Sequence, residues 1–317
     1  MNKFKIIEES FVGMRLDKFL SSKLDTLSRS HIQKCLKKGD ILVNAKIEKA
    51  KYLIQLNDEI YIKNIDLKNE EVLSEDLDID IVYEDNSCLV INKSPGMIVY
   101  PGGPGQQFTG TVANAIKNKV GDDFKDNIRL GIVHRLDKDT SGLIIIAKNQ
   151  SSMDFLSKQF KNREVEKHYT TLVWGIPLHP EGKIQAPIGR NIKDRKKMMI
   201  TSERDGKMAI SKYKVIDTFE LENDKKCTLL DVKIETGRTH QIRVHLNHIG
   251  HPIAGDASYN KIRVWKDAIP KELEVINNLQ RQALHSYSLK FLFLKKEFCF
   301  ESEMPNDLEK TMEVLEK

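Results

Sequence analysis

Cysteine is scarce here: four residues in a chain of 317, at Cys35, Cys88, Cys227 and Cys299, with no paired spacing. That excludes a disulfide framework and a cysteine-ligated zinc site, and it fits reduced, mostly buried thiols. No hydrophobic run approaches the length of a membrane-crossing helix, and the opening MNKFKIIEESF has no apolar signal core. A soluble, cytoplasmic protein is expected. There is no G-x-G-x-x-G, no Walker-type phosphate loop and no H-E-x-x-H, so no motif announces a nucleotide, dinucleotide or metal. Neither charge sign dominates: 51 basic residues stand against 46 acidic, a net +5, so the distribution matters more than the sum. There is no internal repeat. A hydrophobic fraction of 40% over 317 residues can build a sizeable core and suggests two domains, one of them large.

The most informative stretch is Gly131–Ala147, GIVHRLDKDTSGLIIIA. Two apolar runs, Gly131–Val133 and Leu143–Ala147, flank a charged turn closed by Gly142. The second run is short and β-branched and reads as a buried strand, so the turn is expected to be mounted between two core strands. Asp137 stands at its centre. Leu136 can anchor the loop, and Arg135 and Lys138 can hold the carboxylate ionised. A salt-bridged connection between strands is the plain alternative. Every position from His134 to Gly142, however, fits the signature loop of the RluA family of pseudouridine synthases, which this stretch resembles. In that family the aspartate is the essential catalytic residue.

Four further blocks agree with the resemblance. Ile79–Gly102 carries Glu84, Asp85, Asn92, Lys93, Gly96 and Pro101 of a family pattern, with the proline shifted at Ser94-Pro95 and Tyr100 where histidine is common. VEKHYTTLVWG reads as a strand holding a Lys-x-Tyr pair, Lys167 and Tyr169. Leu229–Asp256 reads as a strand, a turn at Gly237, and a helix capped by Thr239 and ended by Gly250; within it GRTHQIRVH and HPIAGD match the family. Its histidines, His240, His245, His248 and His251, lack a metal-ligand spacing and read as packed or RNA-facing. Near the end, RQALHSYSLKF resembles the family's R-x-x-L-H block, and Pro305–Lys317 reads as an amphipathic helix.

The N-terminal part reads as a separate unit over residues 13–63. Apolar residues at helical spacing precede a second helix bearing Arg29, Lys34, Lys37 and Lys38 without an acid, then the strand Ile41-Leu42-Val43. A solvated basic face is the ordinary explanation; a phosphate-binding face is the other. With Arg15 in RLDKFL, Ser28–Ser30 and ILVN, the unit resembles an S4 RNA-binding domain. Residues 64–78 are acidic and read as a linker, with the catalytic domain following over 79–317. Residues 187–199 form a basic stretch with Arg190, Lys193, Arg195, Lys196 and Lys197, resembling a loop that faces RNA in RluD- and RluC-type members.

The resemblance implies an α+β protein: a mixed, largely antiparallel sheet with helices and loops around a central cleft, plus the small S4 unit. It implies conversion of uridine to pseudouridine in RNA, with large-subunit ribosomal RNA as expected substrate and transfer RNA as the alternative. No cofactor, metal or obligate protein partner is implied, and a monomer is expected. Asp137 would carry the chemistry and pair with Arg243, and Tyr169 and Leu284 would line the uracil pocket. Arg135 would fill the space left by the flipped base, with His134, Lys167 and Arg238 as further substrate-binding residues. Arg243→Met is expected to lower turnover without unfolding the domain. The rivals are a non-catalytic S4-type RNA-binding protein and an aspartate-dependent hydrolase, which would need a second carboxylate at the bond.

Overall fold

The chain divides into two units, Met1–Glu71 and Val72–Lys317. The computed structural model describes all residues except 1, 7, 25–28, 64–71, 103–107, 122–123, 125–129, 222–224, 261–270 and 294–295.

The first unit contains β1 (Asn2–Lys5), α1 (Leu16–Lys23), α2 (Arg29–Lys38), β2 (Ile41–Val43) and β3 (Glu59–Ile62). Its sheet has the order β1-β3-β2. The unit starts earlier than residue 13 because Asn2–Lys5 pairs antiparallel along Glu59–Ile62. Ile32, Cys35 and Leu36 are buried at positions i, i+3 and i+4 of α2, against Leu16, Phe19 and Leu20. That spacing turns Lys34, Lys37 and Lys38 outward, where all three are exposed. Ser28 and the Arg29 side chain lie outside the described residues.

The second unit runs β4 (Asp80–Glu84), β5 (Cys88–Lys93), α3 (Val112–Ile116), β6 (Ser141–Ala147), α4 (Gln150–Asn162), β7 (Glu166–Trp174), β8 (Glu181–Arg190), β9 (Met198–Ile200), β10 (Lys207–Leu221) and β11 (Lys225–Ile234). It continues through α5 (Gln241–His248), α6 (Lys271–Asn278), β12 (Leu284–Phe293), β13 (Lys296–Glu301) and α7 (Asn306–Leu315). One ten-stranded sheet has the order β4-β5-β6-β12-β7-β11-β10-β8-β9, with β13 also on β12. Every pairing is antiparallel except β6 with β12, which is parallel. No helix among the described residues is long and apolar enough to cross a membrane.

β6 explains why the sequence there is continuously apolar. All seven of its residues are buried. Ile144 and Ile146 face one cluster with Val112 and Ile116 of α3, while Leu143, Ile145 and Ala147 face another with Leu156 of α4. A strand covered on both faces has no polar side to alternate with. Gly131–Val133 is not a strand. Leu130 and Gly131 both take left-handed conformations (φ 44° and 76°), and only an isolated Ile132–Ile146 bridge joins β6.

The acidic 64–78 linker is also corrected. Val72 is buried, Glu75 N–H donates to Asn114 O at 3.1 Å, and Gly110 N–H donates to the Glu75 carboxylate at 2.9 Å. Residues 72–78 therefore belong to the second unit, and 64–71 lie outside the described residues.

Gly142 sets the approach of β6 to β12. At φ +114° a Cβ would stand 2.3 Å from Ser286 O and 2.6 Å from Ser286 N. Gly142→Ala is expected to destabilise the second unit by about 1–3 kcal/mol through backbone conformation alone, with the collision adding to it. A thermal midpoint equal to that of the wild type would show that the two strands separate without cost.

Candidate active site

The segments flanking this strand crossing enclose a cleft of about 740 Å³. The loop before β6, the C-terminal end of α4, β7, the β11–α5 connection and the start of β12 all contribute to its lining. His134, Arg135, Asp137, Lys167, Tyr169, Arg238, Arg243 and Leu284 are all there. The sequence motifs, far apart along the chain, thus converge in one site.

The Asp137 loop is held from behind. Leu136 is buried. The buried Lys93 ammonium donates to Lys138 O at 2.9 Å, Ser94 O at 2.8 Å and Met97 O at 3.0 Å, which uses all three of its protons. Burial brings Lys93 down to about 7, against the attraction of Asp139 and Asp137. The next carbonyl, Asp139 O, accepts from Arg281 Nη1 at 3.2 Å. Arg281 forks onto Asp307 at 2.5 and 2.7 Å, tying the loop to α7. Gln282 Nε2 donates to Thr140 Oγ1 at 3.1 Å.

The Asp137 side chain meets Arg243, whose Nη1 donates to Oδ2 at 3.2 Å. The rest of that guanidinium forks onto Asp256, with Nε to Oδ2 at 2.7 Å and Nη2 to Oδ1 at 2.9 Å. Asp256 is fully buried at its carboxylate. Burial alone would raise it, but the guanidinium and the Ser258 and Tyr259 N–H groups hold it below its ordinary range. Burial opposes the charge on Arg243, and the two carboxylates overcome this and raise it further. One face of the guanidinium lies 5.1 Å from the Tyr259 ring centroid.

The other walls are less polar. Tyr169 is 5% exposed; burial pushes its phenol well up, against a hydrogen bond with the Ser286 side chain. Leu284 is buried beside the cleft. Lys167 lies 5.2 Å over the Phe160 ring centroid, and burial lowers it to about 8. His134 lines the cleft, stacks on Phe160 at 4.7 Å, and accepts the Ile145 N–H at Nε2, 3.0 Å away. Burial lowers its pKa to about 3, so a neutral ring braces the loop against β6. Tyr100 donates to Ile132 O at 2.8 Å, filling the position where the family commonly has histidine.

Thr239 does not cap α5. The cap position is His240, in a left-handed conformation (φ 55°) without a side-chain cap bond. Gln241, the first residue of α5, braces the turn that leads into the helix: its Oε1 accepts from Arg238 N–H at 3.0 Å and Thr236 Oγ1 at 2.8 Å. Of the histidines beyond, His245 contacts Ser211 Oγ at 2.9 Å and His251 contacts Trp174 O at 3.0 Å, so they face different partners. Among the described residues no cluster has the makings of a metal site.

The RNA pseudouridylate synthase family model matches residues 87–248, and the S4 domain model matches residues 14–60. The uncharacterized RNA pseudouridine synthase YlyB of Bacillus subtilis is 40% identical, over 100% of this chain and 99% of its own. The chain belongs to the RNA pseudouridylate synthase family. Proteins named ribosomal large subunit pseudouridine synthase D, from Blochmanniella floridana and Pseudomonas aeruginosa, are 35% and 36% identical. They align over 98% and 86% of this chain and 98% and 82% of theirs. The solved structure of human RNA pseudouridylate synthase domain containing 4 shares the fold, with a TM-score of 0.58 and 23% identity over 75% of this chain and 93% of that one. The synthase is thus an isomerase of α+β fold with an S4 domain at its N-terminus.

Of the basic residues read as RNA-facing from the sequence, those of 190–197 are absent from the cleft lining. Arg15 forks onto Asp17 with both distances 3.1 Å, which anchors the start of α1. Between β8 and β9 the chain forms a basic hairpin. Asn191 Oδ1 accepts from Lys193 and Asp194 N–H groups, and Asp194 Oδ1 from Lys196 N–H. These bonds fold the tip on itself and leave Arg190, Lys193, Arg195 and Lys196 exposed; Lys197 pairs with Asp194 at 3.8 Å.

Proposed function

We propose that the synthase isomerises uridines of large-subunit ribosomal RNA, with Asp137 as the reacting carboxylate. The observation that carries this is the Asp137–Arg243–Asp256 arrangement at the floor of a cleft walled by Tyr169 and Leu284. The rRNA target rests on the relatives named for the ribosomal large subunit. In the reaction the N1–C1′ bond breaks, uracil turns, C5 bonds to C1′, the C5 proton leaves to solvent, and N1 takes up a proton in its place, so the product is an isomer of the substrate. No electrons are exchanged with a second reactant. Asp137 acts as nucleophile at C1′ or base at C2′.

Arg243 orients Asp137, because its Nε and Nη2 are held in a two-bond fork by Asp256. Tyr169 offers a flat face to the uracil. Its raised phenol keeps its proton at neutral pH, so the hydroxyl serves as a hydrogen-bonding group rather than a resident base. A stacked base must leave the helix to reach this floor. Arg135, exposed beside Asp137, is the group that takes the vacated place. The hydrolase rival needs a second carboxylate at the bond; Asp139 and Asp256 are absent from the cleft lining and Glu235 is in it, so the fate of the base decides between the two readings.

The test is tritium release from C5-labelled, unmodified large-subunit ribosomal RNA, with the base recovered in the RNA. No release, or release of free uracil, would defeat the reading. The basic hairpin has its own test. Lys196→Ala is expected to weaken RNA binding about equally across sequences and to lower the slope of log affinity against log salt by about 1. An unchanged slope would remove the hairpin from the phosphate contacts.

A further inference from the structure

His240 is a cleft residue with a defined hydrogen-bonding state. It sits at the turn into α5 with φ 55°, a region that non-glycine residues seldom occupy. It lines the cleft together with Asp137 and Arg243. Its Nδ1 lies 2.8 Å from the Tyr259 hydroxyl. That hydroxyl accepts the Met198 backbone N–H at 2.7 Å. With Met198 N–H on one lone pair of that oxygen, the phenol proton has Nδ1 as its acceptor, and this is the direction taken for the bond. A neutral imidazole that accepts at Nδ1 carries its own proton on Nε2. Burial lowers the pKa of His240, with the charges of Asp137, Arg243, Asp256 and Arg135 also acting on the ring, so the neutral form is the resting one.

We propose that His240 donates its Nε2–H to an oxygen of the flipped nucleotide beside Asp137, and that Tyr259 is the positioning residue that fixes this tautomer. The proposal rests on the synthase reading given above. Tyr259 has a second hold on the site, since its ring faces the Arg243 guanidinium. Its bond to Met198, the first residue of β9, joins His240 to the return strand of the basic hairpin. Asp137, Arg243 and His240 are thereby placed around one nucleotide, with the carboxylate on the sugar and a neutral donor next to it.

Asparagine and glutamine separate the two faces of the imidazole. His240→Asn suits the left-handed backbone and keeps an acceptor toward Tyr259, but it has no donor where Nε2 was. His240→Gln reaches that place with an amide N–H. Tritium release from C5-labelled, unmodified large-subunit ribosomal RNA is measured for both, with wild type and Asp137→Asn as the active and blank controls. The expected result is a kcat about tenfold lower for His240→Asn, at unchanged KM, with His240→Gln within about threefold of wild type. Tyr259→Phe keeps the ring under Arg243, and is expected to lower kcat part of the way and to add nothing to His240→Asn. A purely structural role for His240 gives the reverse order, with asparagine the better substitute. That order, or wild-type kcat in His240→Asn, overturns the proposal. If the His240 variants do not fold, Tyr259→Phe decides: a lower kcat at unchanged KM and thermal midpoint supports the proposal, and wild-type kcat overturns it. Wild type that releases no tritium defeats the synthase reading instead.

Discussion

Asp137→Asn is expected to lower tritium release from C5-labelled ribosomal RNA by more than about 10⁴-fold, the scale on which removing a reacting group falls. The amide has nearly the shape of the carboxylate. Its oxygen can still accept from Arg243 Nη1, now 3.2 Å from Asp137 Oδ2, so the guanidinium keeps its place. The loop is fixed through its backbone carbonyls by Lys93 and Arg281, which the substitution does not touch. Folding and the cleft should therefore persist, with the thermal midpoint near that of the wild type. RNA affinity should persist as well, because the phosphate contacts proposed for the basic hairpin carry no part of the Asp137 chemistry. A filter-binding curve beside the release assay separates the two quantities. Wild-type turnover by Asp137→Asn would end the assignment. Equal loss of turnover and of binding would mean that the carboxylate holds the loop rather than reacts.

The residues that converge on the cleft were legible because each lies in a contiguous string. HRLD, KHY, GRTHQIR and RQALH carry their identity without any knowledge of the sheet that joins them. β6 was legible for a physical reason, since a strand buried on both faces reads as an unbroken apolar run. The supports of the site were not legible. Lys93 and Arg281 are charged, and charged residues in a sequence suggest solvent, yet both are buried, Lys93 with its protons on main-chain carbonyls and Arg281 shared between the Asp307 carboxylate and the Asp139 carbonyl. Their partners come from distant segments, and only the fold brings them together. Asp256 was visible in HPIAGD, but not its fork with Arg243, which needs the turn after α5. The Gly131–Val133 run misled because apolar composition does not reveal two successive left-handed residues, Leu130 and Gly131. The acidic stretch before Ile79 misled in the opposite way. Glu75 is polar and still part of the second unit, where its carboxylate caps the Gly110 N–H.

Arg243→Met carries the second large effect, and the structure changes what is expected of it. Loss of the guanidinium leaves Asp137 without its orienting partner, so turnover should fall strongly. It also leaves Asp256, with a fully buried carboxylate, without the fork that offsets its desolvation. Breaking a buried pair from one side costs about 3–5 kcal/mol, so to the expectation from sequence, lower turnover without unfolding, the structure adds a large loss of stability. The pH dependence gives a sign that distinguishes this cause from a general packing defect. In the wild type, Asp256 is held below its ordinary value of 3.8. Its contribution is complete above that value and is lost as pH falls through the folded-state value, so this group gives no slope between pH 5 and 7. In the variant, burial without the guanidinium pushes Asp256 up. The folded state then binds a proton more readily than the unfolded state, and stability rises as pH falls from 7 toward 5. Thermal melts at the two pH values test this directly: a variant no more stable at pH 5 than at pH 7, relative to wild type, would mean that Asp256 finds another partner. Adding Asp256→Asn to Arg243→Met removes the buried charge, and should restore most of the stability. It should restore none of the turnover, because Asp137 still lacks the donor that holds it at the floor of the cleft.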